Sequence, residues 1–214
     1  QLYGRSRVLR VAVAVGLSTV LVSAATRSYH DPQRSLRHAF MAQIGEKIGP
    51  PPAATADTAA TADSADSAEN GGRRCMLAPW NLGHELLLIA KQPVVAHNFT
   101  EHEDRKAIAD VDRFLFGPVA GAAAILDQRK VRLVWIEARD AADVAAHRAE
   151  IGPDAAADLR ETAWLQLLLG ERETAVKLGL KRSWVSPLTV EITPFGDGTA
   201  PLRVPRDQLY VLQP

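Results

Sequence analysis

The sequence predicts an α/β fold: a small, mostly parallel sheet flanked by helices, with antiparallel strands at the C-terminal end and a membrane helix before it. Three observations carry this. Residues 75–96 alternate an apolar run, a Pro-Trp-Asn-Leu-Gly turn, a helix-like run and a second apolar run, which is the rhythm of strand, turn, helix, strand. Residues 130–137, Lys-Val-Arg-Leu-Val-Trp-Ile-Glu, are β-branched and nearly continuous in their apolar half, as in a strand buried on both faces. Residues 178–185, 188–193 and 208–212 alternate apolar and polar positions, as antiparallel edge strands do.

In chain order, residues 8–26 are apolar on every face except at Arg10. About 20 such residues cross a bilayer, and Arg10 sits close enough to one end to snorkel. A last transmembrane helix of a longer membrane protein, a signal peptide ending near Val22-Ser23-Ala24, and a buried core helix all fit this stretch. We take residues 1–27 as the membrane helix. Arg5, Arg7 and Arg10 before the run weakly place its N-terminal side in the cytoplasm. Residues 28–49 form an amphipathic helix, with Pro32 suited to its first turn and Leu36, Phe40, Met41, Ile44 and Ile48 on one face. Pro50, Pro51 and Pro52 end it. Residues 50–72 contain Ala, Asp, Thr and Ser without one large apolar side chain, so they cannot offset the entropy of ordering and read as a disordered linker.

The globular domain then covers residues 73–214. Ile108, Val111, Phe114 and Leu115 mark a helix that ends at Gly117-Pro118, and residues 119–128 a second, alanine-rich one. Helical patterns recur over residues 140–150 and 153–169, the latter closed by Gly170. Phe195-Gly196-Asp197-Gly198 is a turn.

Composition excludes several classes. The 25 basic and 25 acidic residues cancel, which removes the electrostatic case for nucleic-acid binding. A single cysteine, Cys75, forms no internal disulfide and no thiolate metal site. No Gly-x-Ser-x-Gly elbow and no glycine-rich phosphate loop follows a strand, which weighs against a soluble hydrolase. His97, Asn98, Glu101, His102, Glu103 and Asp104 form a polar cluster that invites a metal reading, but their spacing fits no zinc pattern and a solvated loop describes them better.

The turn at residues 79–84 holds the candidate binding groups. In a strand–turn–helix unit it lies at the carboxyl edge of the parallel sheet, beside free helical N–H groups. Trp80 offers a flat apolar face for stacking on a sugar or a peptide, or else covers the end of the sheet. Asn81 can bond a hydroxyl, or cap the following helix. Gly83 permits a close approach, and His84, in the first turn, would be held neutral by the positive helix end.

The order of elements, with Pro79-Trp80-Asn81-Leu82-Gly83-His84 and the second block Pro93-Val94-Val95-Ala96-His97-Asn98, resembles the soluble C-terminal domain of oligosaccharyltransferase catalytic subunits and related GT-C-class membrane glycosyltransferases. Trp80 and Gly83 match that family's Trp-Trp-Asp-Tyr-Gly motif. Pro79, Asn81 and Leu82 depart from it. The family uses the motif to hydrogen-bond the Ser/Thr hydroxyl of an Asn-x-Ser/Thr acceptor, and Asn81 lacks the carboxylate. The resemblance implies an extracytoplasmic (periplasmic or extracellular) domain that positions a glycosyl acceptor, with Trp80, Asn81, Gly83, His84 and Asn98 as substrate-binding residues. It implies a membrane, a lipid-linked sugar donor and an acceptor as partners. It also implies that this segment alone is not catalytic and holds no cofactor, the catalytic acids and any divalent metal belonging to an upstream membrane domain. The alternative is a stand-alone membrane-anchored or exported binding module.

Overall fold

The computed structural model describes residues 32–48, 75–96, 105–196 and 198–213. The apolar stretch 8–26, the low-complexity tract 50–72 and the polar cluster around Asn98 lie outside the described residues. No described helix is long and apolar enough to cross a membrane. The chain divides into two units, Gln1–Met41 and Ala42–Pro214. Of the first, only the opening turns of helix α1 (Pro32–Ile48) are described. All described strands belong to the second.

Helix α1 is present where Pro32 predicts its start, but its faces differ from the expected stripe: Leu36 is 49% exposed, whereas Met41 and Ile44 are buried. Positions 41 and 44 are three residues apart and share a face rotated away from Leu36. Next to Ile44, Gly45 meets the end of helix α2 (Trp80–Ile89) so closely that a Cβ would lie 2.6 Å from the Ala90 carbonyl oxygen.

Strand β1 (Cys75–Leu77) leads into α2, and helices α3 (Arg105–Phe116) and α4 (Val119–Gln128) precede strand β2 (Val131–Glu137). Helix α5 (Ala141–Ile151) follows, capped by Asp140, whose carboxylate accepts from the Asp143 N–H at 2.9 Å. The helix expected over residues 153–169 is shorter. A 3-10 turn at Leu159–Glu161 intervenes, and helix α6 (Ala163–Leu168) restarts on Thr162, whose hydroxyl accepts from Leu165 N–H. Gly170 then takes a positive φ, as its position after the helix requires. Helix α7 (Arg172–Lys177) and strands β3 (Leu180–Val185), β4 (Thr189–Ile192), β5 (Leu202–Pro205) and β6 (Asp207–Leu212) complete the chain.

The main sheet has the order β1-β2-β6-β3. β1 and β2 are parallel, with Met76 opposite Leu133, whereas β2–β6 and β3–β6 are antiparallel. The sheet is therefore mixed and not mostly parallel. The second apolar run contributes a parallel bridge, Val94 to Met76, and no full strand. The C-terminal segment 207–212 is not an edge strand either: it lies between β2 and β3, and its first four residues are buried. That burial is tolerated because its polar groups have partners. Asp207 accepts from the Trp135 indole N–H at 3.1 Å, and Gln208 donates to the Leu168 carbonyl. β4 and β5 pair as a separate two-stranded sheet. β5, bracketed by Pro201 and Pro205, carries the residues that disfavour a strand assignment except at an edge.

Phe114, Phe116, Val134, Trp164, Leu167 and Tyr210 are all fully buried in one core between the sheet and helices α3, α5 and α6. Trp135 is buried as well and packs on Trp184 with ring centroids 5.9 Å apart. Tyr210 donates from its hydroxyl to the Leu167 carbonyl at 2.6 Å, and burial pushes its pKa from 10 up to about 12. The native state thus holds the phenol proton at pH values where the unfolded chain has released it. The stabilisation is complete below pH 10 and is lost as pH rises toward 12. Tyr210→Phe should cost about 1 kcal/mol at neutral pH. In urea unfolding measured at several alkaline pH values, the wild type should lose stability more steeply than the variant. Parallel losses would show that Tyr210 is not the group responsible.

Candidate functional site

Because β1 and β2 run parallel, their carboxyl ends reach the same edge of the sheet. β1 turns there through Ala78-Pro79 into α2, and β2 turns through Ala138-Arg139-Asp140 into α5. Pro79 holds the N-cap position of α2 at φ −49° and ψ 133° with no side-chain cap. Asn81 is thus the second helical residue and does not cap the helix. Its exposed side chain turns instead to the neighbouring strand end, where its Oδ1 accepts from Arg139 Nη2 at 2.8 Å.

Arg139 is the centre of the edge. Its side chain is only 5% exposed, and a buried guanidinium must be paired to be tolerated. Besides Asn81 it meets His147 Nε2 on α5 at 3.0 Å, Glu137 Oε2 at 3.5 Å and Asp143 Oδ2 at 3.9 Å. His147 continues the chain through Nδ1 to Asp112 Oδ1 on α3 at 2.9 Å. The guanidinium has no acceptor atom, so Nε2 of His147 must accept, which assigns the ring proton to Nδ1 and makes it the donor to Asp112. The imidazole stacks on Phe116 at 5.6 Å, and the Trp164 indole N–H donates to the Glu137 carbonyl at 2.8 Å, fixing the end of β2 from below. Asp112 Oδ2 and Arg139 Nε are buried with no hydrogen-bond partner.

Among the residues predicted from sequence, the structure brings Asn81 alone into this network. Trp80 is half-buried and packs against the core. Gly83 is buried. His84 is the fifth residue of α2, beyond the first turn where it was expected. The i, i+4 spacing puts it on the face of Trp80. Asn98 lies outside the described residues, as do His97 and His102. Among the described residues no three His, Cys, Asp or Glu side chains converge as metal ligands. Cys75 is mostly buried, which pushes its thiol pKa up and makes it a poor nucleophile.

Arg139, His147 and Asp112 were not singled out from sequence. One signal was available: Asp112 is four residues after Ile108 and three before Leu115, so a carboxylate interrupts the apolar stripe of α3 and requires a buried partner. Asp112→Ala should leave the His147 Nδ1–H unpaired and cost about 2 kcal/mol in chemical denaturation. Asp143→Ala, at a position 62% exposed, should stay within about 0.5 kcal/mol. Equal effects would mean that the His147–Asp112 bond contributes nothing specific.

No family model and no curated relative matches the sequence. A solved structure is similar in fold: the C-terminal globular domain of the oligosaccharyltransferase AglB-S2 from Archaeoglobus fulgidus, at 16% identity and a TM-score of 0.51, over 82% of this chain and 96% of that one. At that identity the likeness is one of fold. The chain is similar in fold to the C-terminal globular domain of an archaeal oligosaccharyltransferase, the family that its Trp80 turn resembles.

Proposed function

We propose that the chain is the extracytoplasmic C-terminal domain of an oligosaccharyltransferase-like or GT-C-type membrane glycosyltransferase, and that the edge carrying Trp80 and Asn81 positions the acceptor for transfer. The observation that carries the reading is the exposed Asn81, held by Arg139 at the carboxyl edge of the parallel strand pair, in the turn that resembles the family's Trp-Trp-Asp-Tyr-Gly motif. The fold likeness supports it. In this reading residues 8–26 tether the domain to the membrane, and a membrane-embedded part handles the lipid-linked sugar donor and supplies the reacting acids and any metal. The domain itself binds and orients.

Transfer from a lipid-linked donor by the full-length protein in membranes tests this. Asn81→Ala and Trp80→Ala should each lower transfer tenfold or more, about 1.4 kcal/mol of lost transition-state stabilisation. The purified variant domains should keep cooperative unfolding. Transfer at the wild-type rate with both substitutions would remove this edge from the acceptor site.

A further inference from the structure

We propose that Arg139 is a positioning residue that makes the Asn81 side chain a hydrogen-bond donor, so that this edge recognises a neutral oxygen, an amide carbonyl or a sugar hydroxyl oxygen. It rests on the proposed function only in taking this edge as the one that meets the glycosyl acceptor.

A carboxamide can present either its oxygen or its NH2 group outward, and its neighbour decides which. Here the neighbour is a guanidinium, which only donates. At 2.8 Å from Arg139 Nη2, Asn81 must turn Oδ1 to the guanidinium, which leaves Nδ2 as the donor this exposed residue can offer. The opposite orientation would set two donors against each other. The guanidinium cannot easily rotate away, because its other arm donates to His147 Nε2 and the imidazole is held in turn by buried Asp112. The orientation of one exposed amide is therefore anchored to a carboxylate that is 1% exposed, 31 positions further along the chain on α3. The family's Asp at this place accepts from a hydroxyl, and Asn81 held in this way does the reverse.

Charge narrows the ligand further. Within the network one guanidinium faces the carboxylates of Glu137 and Asp143, with Asp112 behind His147. Three negative charges against one positive disfavour a carboxylate or phosphate ligand at the Asn81 amide. A neutral oxygen takes the same hydrogen bond without that repulsion.

The test is NMR titration of the isotopically labelled 214-residue chain, following the Asn81 side-chain NH2 resonances. The probes are N-methylacetamide for a carbonyl, methyl glucoside for hydroxyls and acetate for an anion. The two neutral probes should shift the NH2 signals saturably, the tighter one identifying the source of the oxygen, and acetate should not. Arg139→Met, which removes every donor beside the amide, should abolish the response while unfolding remains cooperative. If that variant does not fold, His147→Gln, which frees one arm of the guanidinium, should weaken the response. Acetate shifting the signals as strongly as the neutral probes, no probe shifting them, or a response unchanged by the variants would overturn the proposal. None of these readouts requires transfer, so a failure here is distinguishable from a failure of the proposed function.

Discussion

The structure depends on one buried cation. Parallel pairing of β1 and β2 brings two turns to the same edge, and Arg139 joins them: it reaches from the turn after β2 to Asn81 after β1, and to His147 on α5. A guanidinium this deeply buried is costly unless its donors are used. The surrounding elements engage both of its terminal nitrogens, while Nε stays buried without a hydrogen-bond partner. α3 supplies Asp112, α5 supplies His147, and the Phe116 and Trp164 rings close the space behind. The edge that carries the exposed Asn81 is therefore rigid by construction, as a recognition site requires.

The same constraint explains the order of the sheet. With β1 and β2 parallel, the polar edge belongs to their carboxyl ends, and the C-terminal strands complete the other flank of β2. β6 enters the interior because Asp207 and Gln208 find the Trp135 indole and the Leu168 carbonyl, and Tyr210 finds Leu167. Polar side chains on a central strand thus tie the sheet to α6.

Much of this was legible in the sequence where the pattern is local. The strand at residues 131–137, the helices before it and the glycine stop at Gly170 each follow from apolar period and turn chemistry, whereas the turn expected over residues 79–84 is confined to Ala78-Pro79, because the helix already starts at Trp80. The pairing of strands was not, because β6 reads as an alternating edge strand until its buried polar partners are known. Nor was the network. Arg139 reads as one charge in a polar turn, and His147 as one of several polar residues on an alanine-rich helix. They meet Asn81 and Asp112 only through tertiary packing, across 58 and 35 positions. Asn81 itself was found from the turn, but its role as a cap was wrong, because Pro79 occupies that position and Arg139 takes the amide oxygen.

Arg139 and Asn81 should be energetically coupled across the two strand ends. A double-mutant cycle on thermodynamic stability, with Asn81→Ala, Arg139→Met and the pair, measures that coupling most directly. The expected coupling is about 1–3 kcal/mol, the range for a charge-assisted hydrogen bond with a buried partner. Additive losses, within about 0.3 kcal/mol, would show that the two turns are merely adjacent and that the edge is not built around Arg139.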